Sequence, residues 1–215
     1  MPKRTQSTAE PLVPKKPNLE NLREAAAGCR ACDLWKRGTQ IVFGEGSPHA
    51  RVMMVGEQPG DKEDLQGRPF VGPAGDVLNK ALAAAGIDRD EVYVTNIVKH
   101  FKWEPRGKRR IHKKPNTVEI NACRPWLDAE IRVIQPEVVV LLGATAAQGI
   151  VGRNFRLTQH RGEWLQSDIA AYVTATVHPS SILRAVDDES RHEEMRKFIE
   201  DLKKVAAKIS KRKAA

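Results

Sequence analysis

Two imidazoles and two carboxylates occupy places in this chain where acid–base or nucleophilic work could be done. His112 lies in N-I-V-K-H-F-K-W-E-P-R-G-K-R-R-I-H-K-K (96–114), where Lys102, Arg106, Lys108, Arg109, Arg110, Lys113 and Lys114 face a single acid, Glu104. A neutral imidazole is a good nitrogen nucleophile or proton carrier near pH 7. Cations around it would hold it against a polyanion, whose phosphates release counterions when neutralised. His178 heads H-P-S-S-I-L-R (178–184), in which Ser180, Ser181 and Arg184 could grip a backbone while two apolar residues wedge a base stack. Glu57 and Asp61 belong to G-E-Q-P-G-D (56–61), whose glycines permit a tight turn with amides exposed toward a ligand. G-R-P-F-V-G-P-A-G (67–75) offers Phe70 as a lone stacking face, and Asn96 brings an amide that both donates and accepts.

The cysteines form a separate set. Cys29-Arg30-Ala31-Cys32 is a CxxC, and Cys123 is remote in sequence. A metal would need a fourth ligand, for which His100 is the best placed, just past a strand end and upstream of Cys123. Imidazole can replace thiolate at an iron–sulfur cluster, and a Cys3His zinc site is equally allowed, so spacing does not choose between them. The odd cysteine count argues against a disulfide framework and for a reducing, cytoplasmic setting.

These residues need a scaffold, and the apolar pattern supplies one. Runs at Arg51–Val55, Glu91–Val98, Glu137–Leu142 and Tyr172–Val177 are rich in Val, Ile or Met, as strands buried on both faces are. Helix patterns fill the intervals: Asn18–Ala27, Ala74–Ala85, Thr117–Ile134 and Thr145–Val151, with a last one from about Glu189 to Ile209. The alternation predicts an α/β fold with a parallel sheet between helices, whose ligands bind beyond the carboxyl ends of the strands. His178, Asn96, His100 and the turn from Gly56 to Asp61 all fall at such ends. Residues 1–17, with four prolines and four basic residues, predict a disordered basic arm, 18–209 a single domain, and 210–215 a basic tail. The net charge of +9 is concentrated in the arm, the 102–114 segment and the C-terminal region. Nothing reads as a secretory leader or a membrane span.

As an ordered set, G-E-Q-P-G, G-R-P-F-V-G-P-A-G, the strand-end T-N and H-P-S-S-I-L-R resemble the iron–sulfur uracil-DNA glycosylases of family 4, over roughly residues 20–205. Two departures, His100 where family 4 has its third cysteine and the inserted K-R-R-I-H, are features of the X-type glycosylases, which cross-link themselves to uracil-containing DNA. The resemblance implies a three-layer αβα sandwich around a four-stranded parallel sheet. It implies a [4Fe–4S] cluster on Cys29, Cys32, His100 and Cys123. It further implies a flipped uracil stacked on Phe70, read by Asn96, and anchored by backbone amides at Gln58 together with Asp61. His178 would donate to uracil O2, and His112, oriented by Glu57, would capture the sugar, while Arg110 and its neighbours close the segment over the phosphates. Expected partners are single-stranded and also double-stranded uracil-containing DNA, met by a monomer. The rival readings are a turnover glycosylase and a zinc-stabilised nucleic-acid-binding module.

Overall fold

The computed structural model describes residues 8–210, apart from the Ser210 side chain. Its centre is a sheet of β1 (Val52–Gly56), β2 (Val92–Asn96), β5 (Val138–Leu142), β6 (Trp164–Leu165) and β7 (Tyr172–Thr176), in the order β2-β1-β5-β7-β6. The first four strands in that order are parallel, as the sequence predicted. The prediction of four strands missed β6, a two-residue edge strand antiparallel to β7 and too short to leave a pattern.

Period-two alternation divides the strands between two cores. Met53, Val55, Tyr93, Val139 and Leu141 pack on one face against α1 (Leu19–Ala27), α4 (Thr117–Ile134) and α5 (Ala144–Val151). Val52, Met54, Val94, Val140 and Leu142 pack on the other against α3 (Pro73–Ala85) and α8 (Asp188–Ser210). The result is the three-layer αβα sandwich. Helix ends follow local chemistry. α1 and α4 each begin with a capping box, Asn18 with Asn21 and Asn116 with Glu119. α3 begins with Pro73 and stops at Gly86 in the left-handed region.

The chain departs from the predicted layout in three places. The 102–114 segment is not an open loop but a hairpin of β3 (Trp103–Arg106) and β4 (Arg109–His112), turned at Gly107, whose φ is +59°. Short helices α2 (Asp61–Gln66), α6 (Leu157–His160) and α7 (Pro179–Leu183) stand where no helix was predicted. Residues 1–7 and 211–215 of the expected arm and tail lie outside the described residues. The inner part of the arm is packed: Ala9 is buried and its amide donates to the Ala122 carbonyl (2.9 Å), so ordered chain begins before α1.

Candidate functional site

Strand order reverses between β1 and β5, and a cleft of about 710 Å³ opens beyond the carboxyl ends there. Glu57, Gln58, Phe70, Asn96, His112, His178, Ser180 and Arg184 all line it, so eight of the ten predicted catalytic and base-binding residues converge. Asn96 is buried at the end of β2, and among the described residues its side-chain amide makes no hydrogen bond. Gly56 makes room for it, since a Cβ there would fall 2.3 Å from Asn96 Oδ1.

Phe70 holds a φ of +55°, unusual for an aromatic residue. Two neighbours sustain that backbone. Glu63, buried, accepts from the Gly72 amide (2.8 Å), and Gly75 lets the Phe70 carbonyl approach so closely that a Cβ would sit 1.8 Å from it. The Phe70 ring lies 6.1 Å from that of His178 at an interplanar angle of 27°, which leaves one wall of the cleft aromatic.

His178 caps α7 with its own ring: the Ser180 amide donates to Nδ1 (3.2 Å), beside the Ser180 hydroxyl at 2.8 Å. A nitrogen that accepts cannot carry the proton, so the neutral ring bears it on Nε2. Burial pushes the His178 pKa down to about 4, against a smaller upward pull from Glu57. Near neutral pH the site therefore contains a neutral imidazole with a free N–H.

Across the cleft His112 Nε2 stands 3.3 Å from Glu57 Oε1, with the histidine side chain half exposed. Burial raises the Glu57 carboxyl, but hydrogen bonds with His112 and Thr145 and the two histidine charges outweigh it and leave the group below its ordinary value. A carboxylate in contact with an imidazole fixes the ring's orientation and takes up its proton as charge develops.

The hairpin carries His112, and pairing explains its position. Opposed residues in an antiparallel ladder share a face, so His112 with Trp103 and Arg110 with Pro105 turn inward. Three anchors fix that face. The Gln58 amide donates to the carbonyls of Lys102 (3.2 Å) and Lys113 (3.1 Å) and accepts from the Lys102 amide (3.1 Å). Trp103 Nε1 donates to the Arg37 carbonyl (2.9 Å). Arg110 donates to Asp61 (2.5 Å), buried Asp64 (2.6 Å) and Thr39 (3.2 Å), and lies over the Phe101 and Trp103 rings.

Two predicted roles change as a result. Asp61, at the start of α2, does not line the cleft and is paired with Arg110. Arg110 has its guanidinium committed to Asp61 and Asp64, so it clamps the hairpin to α2 and is not free for phosphates. Lys102 and Lys113 are also paired, with Glu119 and Glu104. Among the described residues Arg106, Lys108, Arg109 and Lys114 have no acidic partner, and these four form the free cationic surface.

The predicted ligands Cys29, Cys32, Cys123 and His100 lie outside the cleft. Cys29 and Cys123 are buried, each with an N–H aimed at its sulfur: Trp126 Nε1 at 3.4 Å and the Lys99 amide at 3.2 Å. Burial raises the Cys123 thiol to about 12, partly offset by Lys99, and the charges of Cys29 and Cys32 reach it. Burial likewise lowers the adjacent His100. Three soft thiols, two of them with sulfur-directed donors, and a neutral imidazole fit an iron–sulfur cluster in donor type. In side-chain arrangement they do not yet converge: among the described residues no group of three or more His, Cys, Asp or Glu is set to hold a metal ion.

Comparison with known proteins bears on the same residues. Residues 43–203 match the model of the uracil DNA glycosylase superfamily. The chain belongs to the uracil-DNA glycosylase superfamily. A type-4 uracil-DNA glycosylase of Thermotoga maritima is 39% identical over 198 residues, covering 90% of this chain and 95% of that protein. Type-4 uracil-DNA glycosylases of Sulfurisphaera tokodaii (39% over 174 residues, 77% and 76% covered) and Pyrobaculum aerophilum (37% over 174 residues, 78% and 85%) are also similar. Within this superfamily scaffold the cleft uses three residues to which sequence reasoning gave no role: Glu63 under the Phe70 loop, Thr145 beside Glu57, and Leu157 on the wall. The signal for Glu63 was D-K-E-D directly after Gly60, acids in the first turn of a helix.

Proposed function

We propose that this protein excises uracil from DNA, as a DNA-repair glycosylase, and then bonds itself through His112 to the sugar it has exposed. The observation that carries the second half is the His112–Glu57 contact at 3.3 Å on the wall of the cleft that also contains Asn96, Phe70 and His178. The target nucleotide must leave the stack to reach this cleft. Phe70 stacks on the base, worth roughly 1–3 kcal/mol. The Asn96 amide donates to O4 and accepts from N3–H, a pattern that cytosine reverses, and a buried mismatch of that kind is costly.

As the C1′–N1 bond breaks, its electron pair leaves with N1, and charge spreading to O2 meets the Nε2–H of neutral His178. The sugar becomes cationic at C1′. A His112 ring nitrogen supplies its lone pair to form the N–C1′ bond, and the proton on the other nitrogen passes to Glu57 and on to solvent. The product is a neutral N-alkyl imidazole, a poor leaving group, so each molecule acts once. Arg106, Lys108, Arg109 and Lys114 face the phosphates. Cys29, Cys32, Cys123 and His100 would hold a [4Fe–4S] cluster, which would brace the root of the hairpin through His100 and would take no part in these steps.

The test is a denaturing gel after mixing with a uracil-containing single strand. A shifted protein–DNA band is expected, absent with thymine in place of uracil and absent for His112→Ser, which should release abasic product with turnover. Free abasic product with unshifted wild-type protein would reduce the reading to a turnover glycosylase. Zinc in place of iron, with binding indifferent to uracil, would leave only a nucleic-acid-binding module.

A further inference from the structure

Beneath the cleft lies an ion pair that the steps above do not use. Lys99 and Glu130 side chains are both 0% exposed. The Lys99 ammonium donates to Glu130 Oε2 (2.5 Å), Thr95 Oγ1 (2.6 Å) and the Asn96 carbonyl (2.8 Å), which satisfies all three of its protons. Glu130 also accepts from the Tyr93 hydroxyl (2.9 Å), the Thr95 hydroxyl (3.0 Å) and the Gly44 amide (3.1 Å). The ammonium lies 5.3 Å from the centre of the Phe43 ring.

A buried ion pair is poor value as a stabiliser, because desolvation of both charges offsets their attraction and apolar replacements are often as stable. What the pair touches is more telling. Lys99 binds the main chain of the residue whose side-chain amide opens, unpartnered, into the cleft. The Lys99 amide is tied as well, to Cys123 Sγ at 3.2 Å, and the Ile97 and Val98 amides are tied to the Gly56 and Glu57 carbonyls at 2.9 and 3.1 Å. The Asn96 carbonyl is therefore the point at which the turn could still rotate, and the ammonium closes it. We infer that Lys99 and Glu130 are positioning residues that set the Asn96 amide for the uracil edge; this rests on the reading of Asn96 as the base reader.

The test is a double-mutant cycle on single-turnover uracil release at saturating protein. Lys99→Met with Glu130→Gln removes both charges together, and Lys99→Leu with Glu130→Leu is a second, apolar pair. Either is combined with Asn96→Ala. The expected result is near-wild-type melting and unchanged affinity for uracil-free DNA, with release slowed about 10- to 100-fold, the scale set by small misplacements of a binding group. In the Asn96→Ala background the same changes should have no further effect. Unchanged release, or an equal loss in both backgrounds, would overturn the inference. So would failure of both pairs to fold, since the network would then serve the fold. Asn96→Ala alone leaving release intact would instead remove the base-reading role of Asn96, a distinct result.

Discussion

Replacing Gln58 by Met separates cleavage from capture. The side chain is buried and makes three hydrogen bonds to the hairpin root, two to carbonyls and one from an amide. Such bonds contribute about 0.5–1.5 kcal/mol each net. The loss is partly cushioned, because the Lys102 carbonyl also accepts from the Lys113 amide at 2.9 Å. The Lys102 amide and the Lys113 carbonyl are the groups left without this partner, so a total near 2 kcal/mol is expected, or about 30-fold in the fraction of hairpins correctly seated. Met has similar length and no hydrogen-bonding amide, so the cleft keeps its shape. Capture by His112 should slow by about that factor, while uracil release should change by less than about threefold, because Asn96, Phe70 and His178 do not depend on the hairpin. A time course on uracil DNA reads both at once: the shifted band on a denaturing gel gives capture, and total alkali-labile plus shifted strand gives release. Shifted product forming at the wild-type rate would show that Gln58 does not seat the hairpin. Parallel slowing of release and capture would show that the side chain acts on the base.

Three further outcomes follow from the same geometry. Gly75→Ala places a methyl 1.8 Å from the Phe70 carbonyl, so it should cost about 3 kcal/mol by urea denaturation and displace Phe70, with loss of uracil release. Arg110→Met leaves Asp64, buried, with only Thr39 as partner, and should destabilise by about 3 kcal/mol; adding Asp64→Asn should restore the urea midpoint without restoring capture. His178 has a folded pKa of about 4, below the usual histidine value, so the unfolded chain binds the proton more readily between those pH values. The stability this residue's neutrality provides is present above pH ~6.5 and is lost as pH falls toward about 4. His178→Asn should remove that slope from a series of urea midpoints.

The residues proposed to read the base were legible because they follow strands. Apolar runs read as ending at Val55, Val98 and Val177 lie within two residues of the observed strand ends, Gly56, Asn96 and Thr176, and the polar residues at those ends had to face the same crevice. The hairpin was not legible. Its strands carry Glu104, Pro105, Arg109 and Arg110 and no apolar alternation, since one face meets polar anchors and the other meets solvent. Charge alone could not tell Arg110, clamped to Asp64, from Arg109, which is exposed; only the register sets them on opposite faces. Lys99 was hidden for a related reason. A lysine three residues past a buried strand reads as the return to solvent, and nothing in the local pattern marks Glu130, on a distant helix, as its partner.

What holds each half of the site also decides how it can change. Asn96, Gly56 and His178 are attached to strand ends whose side chains fill two apolar cores, so their geometry rests on burial spread over many residues. His112 rests on a few polar contacts from Gln58, Arg110 and Trp103 to a hairpin otherwise open to solvent. A small number of substitutions in that hairpin can therefore move the proposed nucleophile without disturbing the proposed base reading or bond cleavage, whereas the reverse is not possible without repacking the sheet. Deleting residues 104–111 and bridging Trp103 to His112 with a short turn should leave the αβα core intact by melting temperature. Uracil release should persist, and water in place of His112 should take the sugar. Loss of release together with capture in that deletion would mean that the hairpin also shapes the base pocket, and the division between a rigid reader and a separately held trap would fail.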